Sequence, residues 1–141
     1  MPYHLLSVVQ PAGGQPPAAE RLDAITRDVE AFDTELRDAG AMVFAGGLDG
    51  PGTATVLRPG GDGVRVADGP RAPPGDEYLA GLCLISAADR DEALSRARKA
   101  ALATTLPVEL RPFGHADRPT RPAPDSRPSG NPGDRVRRVR R

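Results

Sequence analysis

The sequence is poor in aromatic side chains, with five in 141 residues and no tryptophan, and it holds a single cysteine, Cys83. One thiol excludes an intramolecular disulfide and gives no basis for a thiolate metal cluster. No apolar run approaches the ~20 residues that span a bilayer, and the longest, Leu79 to Ile85, has the length of a strand. The amino end lacks a basic segment followed by an apolar stretch and a small-residue cleavage site. No secretory signal is therefore read there, and a cytoplasmic address is expected. His4 and His115 lie far from each other and from Cys83, without ligand spacing, and Asp89 and Asp91 are accounted for by helix capping. No metal or other cofactor is expected. Gly60-Gly-Asp-Gly63 stands between two β-rich segments, which fits neither a phosphate loop nor a dinucleotide fingerprint.

Glycine and proline are abundant, at sixteen each, but the chain is not uniform. All five aromatics (Tyr3, Phe32, Phe44, Tyr78, Phe113) precede residue 114. Residues 1–113 carry 11 basic and 16 acidic side chains, a net −5, whereas 114–141 carry 8 and 3, a net +5. This division predicts one domain over 1–113 and a disordered Pro/Arg-rich basic tail over 114–141. Arg135, Arg137, Arg138, Arg140 and Arg141 form a patch that attracts nucleic-acid phosphates or an acidic protein. No aromatic interleaves them to stack on bases, which favours a solubilising extension without a partner.

Within 1–113, Tyr3 to Val9 reads as a first strand, stopped by Pro11-Ala-Gly-Gly14. Leu22, Ile25, Val29, Phe32 and Leu36 recur at spacings of three and four residues, which predicts a helix over 18–39 with one apolar face. Asp23 with Arg27 and Asp33 with Arg37 are spaced as exposed i,i+4 pairs, and Gly40 supplies a left-handed stop. Ala41 to Gly46 is a second strand, followed by a turn over Gly47 to Gly52. Thr53 to Arg58 and Val64 to Ala67 pair as a hairpin around Pro59 to Gly63, and Pro70 to Gly75 breaks regular structure again. Tyr78 to Ile85 is apolar on both faces and is expected to be covered on both; Cys83 within it reads as a small buried hydrophobe. Asp89 with Glu92 makes a capping box for a second helix, with an apolar stripe of Ala93, Leu94, Ala97 and Ala101, and Val108 to Phe113 is the last strand.

The order predicts an α+β fold, a ferredoxin-like βαββαβ plan with an inserted β-hairpin. Two helices cover one face of such a sheet. The other needs a cover, and a second copy of the same sheet predicts a homodimer, with loops folded back over the face as the alternative.

Three segments carry a likeness to a known family: Gly46-Gly-Leu-Asp-Gly-Pro-Gly-Thr-Ala-Thr-Val-Leu-Arg58, Val64-Arg-Val-Ala-Asp-Gly-Pro70 and Tyr78-Leu-Ala-Gly-Leu-Cys-Leu-Ile85. Asp91-Glu-Ala93 and Val108-Glu-Leu-Arg-Pro-Phe113 follow in the same order. Over residues 3–113 this combination resembles the DGPF branch of the YCII-related family. The resemblance implies a dimeric α/β barrel and either a small enzymatic pocket or an accessory role beside a sigma factor. In place of the Phe and the acidic segment that end the family's signature, this chain has Arg71-Ala-Pro-Pro-Gly-Asp-Glu77, and the family's histidine has no counterpart in the first helix.

Asp68 matches the signature's aspartate and is the candidate general acid or base, with His4 and Glu77 as partners of suitable type. The competing role for Asp68 is turn chemistry, its carboxylate accepting backbone N–H bonds ahead of Gly69. Two functions follow. One is a non-catalytic dimeric module that holds a small-molecule ligand or assists transcription. The other is a cofactor-free enzyme with Asp68 in a pocket.

Overall fold

The computed structural model describes residues 2–73 and 75–114. The expectations for the tail, including its five terminal arginines and His115, fall outside them. The elements run β1 (Tyr3–Pro11), α1 (Ala19–Asp38), β2 (Met42–Gly47), a single 3-10 turn (Pro51–Thr53), β3 (Thr55–Gly60), β4 (Gly63–Asp68), β5 (Glu77–Ser86), α2 (Arg90–Thr104) and β6 (Val108–Pro112). Four strands form one sheet in the order β2-β5-β1-β6, every neighbouring pair antiparallel, and β3 with β4 forms a separate two-stranded sheet. The molecule is thus α+β, and its connectivity is compatible with a ferredoxin-like fold.

Side-chain alternation decides where the core lies. On β1, His4 and Leu6 are buried, and they pair across the sheet with Ile85 and Cys83 of β5, also buried. This is the face the helices cover. Phe32 and Leu36 from α1 join Leu6, Ile85 and Cys83 in one cluster with Ala97, Ala100 and Ala103 from α2. The row of alanines lets the α2 backbone lie close to the strands, where a larger stripe would hold it away. The buried stripe is Ala93, Ala97, Ala100 and Ala103, which corrects the sequence reading: Leu94 and Ala101 are only half-buried, because the helix is rotated so that its smallest residues meet the sheet.

The first helix differs from its expected face in a similar way. Phe32 and Leu36 are buried and Val29 packs against them, but Leu22 is 44% exposed, so the buried residues lie in the carboxy-terminal half of the helix. Arg27 donates to the Asp23 backbone carbonyl rather than to its carboxylate. The ionic contacts among the described residues fall elsewhere, between Lys99 and Glu35 across the two helices, between Arg96 and Glu92 within α2, and between Arg111 and Glu109 on β6.

Helix ends follow the expected chemistry. Gly40 has φ of 66°, and the bonds from Gly40 N to Arg37 O and from Ala41 N to Leu36 O form a Schellman stop. Glu92 N donates to Asp89 Oδ1 at 2.8 Å, and Ala88 N, one residue before the cap, donates to Glu92 Oε2 at 2.6 Å, a capping-box variant in which the glutamate reaches back past the cap residue. Arg96 extends it, donating to Glu92 Oε1 and to the Ser86 carbonyl, which ties α2 to the end of β5.

The β3–β4 pair is tighter than the sequence suggests. Pairing continues to Gly60 opposite Gly63, leaving Gly61 and Asp62 as the whole turn, and Gly63 takes φ of 147°, a value open to glycine. The expectation that β5 is covered on both faces also needs correction. Gly81, Cys83 and Ile85 are buried under the helices, but Leu82 and Leu84 on the opposite face are half-buried and their neighbour Phe44 is exposed. Among the described residues no helix is long and apolar enough to cross a membrane.

Candidate functional site

The two Gly/Pro stretches that flank the hairpin meet at its root. Gly69 N donates to Ala54 O at 2.7 Å, which holds the ends of β3 and β4 together, and Arg58 Nη2 donates to the Arg71 carbonyl at 3.0 Å. On the other side, Leu48 N donates to Ala80 O, and Thr53 closes its own turn through both its backbone N–H and its hydroxyl to Gly50 O. Between these walls lies an open cleft of about 610 Å³. Leu48, Pro51, Ala54, Pro70 and Leu79 give it an apolar lining, and Asp49, Arg71, Glu77 and Tyr78 are the groups on it that carry or can carry charge.

The three residues singled out from the sequence do not converge. Glu77 opens β5 and lines the cleft. Asp68 ends β4 opposite Thr55, exposed, and is not part of the cleft lining. His4 is 5% exposed on β1, beneath the helices, with its Nδ1 unpartnered among the described residues. A buried histidine on the core face and a carboxylate on the exposed hairpin belong to different parts of the molecule. Asp49, Arg71 and Tyr78 escaped the sequence reading because each sits in or beside a segment read only as a turn. The available signal was topological: the paired strands must bring the segments that flank them side by side, so their polar residues share one end of the sheet.

The cleft can bind by apolar contact with a charged rim. Among the described residues no group of three or more His, Cys, Asp or Glu is arranged to hold a metal ion.

Cys83 is no part of it. The thiol is 7% exposed, its Sγ lies 3.8 Å from Met42 Sδ, and its pKa is pushed up to about 11, first by burial and then by the negative charge of Asp33. Folding therefore favours the neutral thiol. That contribution to stability is complete below the unfolded value near 9 and is lost as pH rises towards about 11. At pH 8 the native chain should react with a disulfide reagent only as fast as it opens, whereas the chain in denaturant should react at once. Rapid stoichiometric labelling of the native protein would overturn this placement.

No protein-family model matches the chain, and no curated protein is significantly similar to it.

Proposed function

We propose that this chain is a small dimeric module of the YCII-related kind that binds a small-molecule ligand without transforming it, or else serves as an accessory to transcription. The observation that carries the reading is the cleft at the hairpin root, with an apolar lining and Asp49, Arg71 and Glu77 at its rim. A pocket of this kind suits a compact ligand with an apolar body and a polar head. It brings together neither a nucleophile with an activating base nor the Asp68 that an acid–base mechanism requires, so the enzyme reading is the weaker one.

Dimerisation is supported by the sheet. Both helices pack on one face, and the other presents Leu5, Leu82 and Leu84 half-buried and Phe44 59% exposed. A second copy placed face to face covers them and yields a dimeric α/β barrel, with Glu109 and Arg111 of β6 at the edge of the covered face.

The test is a titration of the full-length, isotope-labelled chain with a panel of small aromatic and aliphatic amines, amides and carboxylates, followed by amide chemical shifts. At least one class should shift residues 48–54, 70–73 and 77–79 together, and Leu48→Arg, which fills the apolar lining with a charged side chain, should weaken that compound at least ~10-fold. If no class moves these amides, or if the compound that moves them is chemically converted, the proposal fails.

A further inference from the structure

The β3–β4 hairpin packs mainly on itself. Beyond its root its packing is between its own two strands, and an isolated two-stranded hairpin is at best marginally stable in water. Its side chains are nevertheless sorted. Leu57 is opposite Val66 and Pro59 opposite Val64, which puts these four on one face, with the Thr55–Asp68 pair at its root end, while Arg58 opposite Arg65 and Val56 opposite Ala67 lie on the other. Leu57, Val64 and Val66 are each 60–62% exposed. An arm with an exposed apolar face, whose contacts among the described residues beyond its own two strands are at its root and through the Arg58–Arg71 bond, is shaped to lie on something else.

We propose that the β3–β4 hairpin is a dimerisation arm, whose Leu57, Pro59, Val64 and Val66 face docks on a second copy of this chain against the open sheet face beside Phe44. The inference rests on the dimeric reading above and assigns it the residues that hold it together.

Area favours this occupant. The open sheet face offers one largely exposed apolar side chain, Phe44, with Leu5, Leu82 and Leu84 half-buried, whereas each arm offers Leu57, Val64 and Val66. A partner in a standard stable interface contributes about 800 Å² of accessible surface, and the arm adds its exposed apolar side chains to the few that the sheet face supplies. Each six-residue strand of the arm reaches about 20 Å, close to the length of the open face. A two-fold axis makes the arm contact twice, adding to the buried area and closing the assembly so that no further copy can join. The same chain supplies both apolar faces, each unpartnered among the described residues, and the seat beside Phe44 lies on β2, the strand from which the chain passes into its own arm.

The experiment is sedimentation of the full-length chain over a range of concentrations, comparing the wild type with Leu57→Asp/Val66→Asp on the apolar face, Arg65→Ser on the opposite face, and Leu84→Asp on the open sheet. The wild type should be a dimer. The double variant should raise its dissociation constant on the order of 100-fold and Arg65→Ser should change it less than about 3-fold. Circular dichroism should be unchanged, and the milder Leu57→Ser/Val66→Ser pair replaces the first if it is not. A wild type that stays monomeric throughout overturns both the arm and the dimeric reading. A dimer that Leu84→Asp breaks and the arm variants leave intact overturns the arm alone, as does one that none of the variants affects.

Discussion

Ile85→Ala lowers the unfolding free energy by about 3–4 kcal/mol, read as a shift of the urea midpoint at unchanged slope. Ile85 is fully buried, paired with His4 on β1 and Met42 on β2, and in the cluster that joins both helices to the sheet. The central strands cannot close over the lost methyl groups because they are held on both sides by ladders. The Arg96 bond to the Ser86 carbonyl fixes the adjacent backbone as well. A cavity at such a place relaxes little, which puts the cost in the upper part of the range for this substitution. For a domain at the lower end of the usual range of about 5–15 kcal/mol, this leaves a protein near its threshold. A loss below about 1 kcal/mol would mean that the cluster does not hold the fold together. Ile85→Leu, which keeps the side-chain volume, should cost less than about 1.5 kcal/mol.

Gly81→Val should cost about 1–3 kcal/mol and act on the cleft as well as on the fold. Gly81 is buried in β5, where a Cβ would stand 3.1 Å from the Gly46 carbonyl oxygen and 3.5 Å from Gly47 Cα. Those atoms are backbone and cannot swing aside, so β2 has to move. Because Leu48 is hydrogen-bonded to Ala80 directly beyond this point, the displacement reaches the cleft wall. The expected signature is faster amide exchange at 44–48 with the exchange of β1 and β6 unchanged, since those strands lie on the far side of β5. Uniformly faster exchange across all four strands would argue that the substitution merely weakens the domain as a whole.

The fold was legible where local chemistry and burial agree. Gly40 stops α1 and Asp89 with Glu92 starts α2 as the sequence suggests, because caps depend on residues within a few positions of one another. The faces of the helices were read less well. Periodicity places Leu22 in line with Leu36, but whether a residue at one end meets the sheet depends on how far the helix overhangs it, which no spacing encodes. Likewise the alanines of α2 are nearly equal in a hydropathy pattern, and only packing distance chooses Ala100 and Ala103 over Leu94 and Ala101. The cleft was the least legible part. Glu77 was found by residue type, whereas Asp49 and Arg71 come together only through the pairing of strands that lie between them in the chain. Asp68 is singled out by its match to the signature aspartate of the resembled family, and His4 by its residue type. One stands on an exposed hairpin strand and the other in the core, where the cleft reaches neither.

The two ends of the hairpin leave the body side by side, tied by the Gly69–Ala54 bond. Its length is therefore a free variable of the architecture. Residues can be added to or removed from both strands in pairs, each step restoring the same alternation of faces, while the sheet, the helices and the cleft keep their places. An odd change on either strand shifts the pairing and turns its side chains to the other face. Among related chains, variation in this segment should thus come in matched even steps, with reach as the property that diverges and the frame beneath it as the property that is kept.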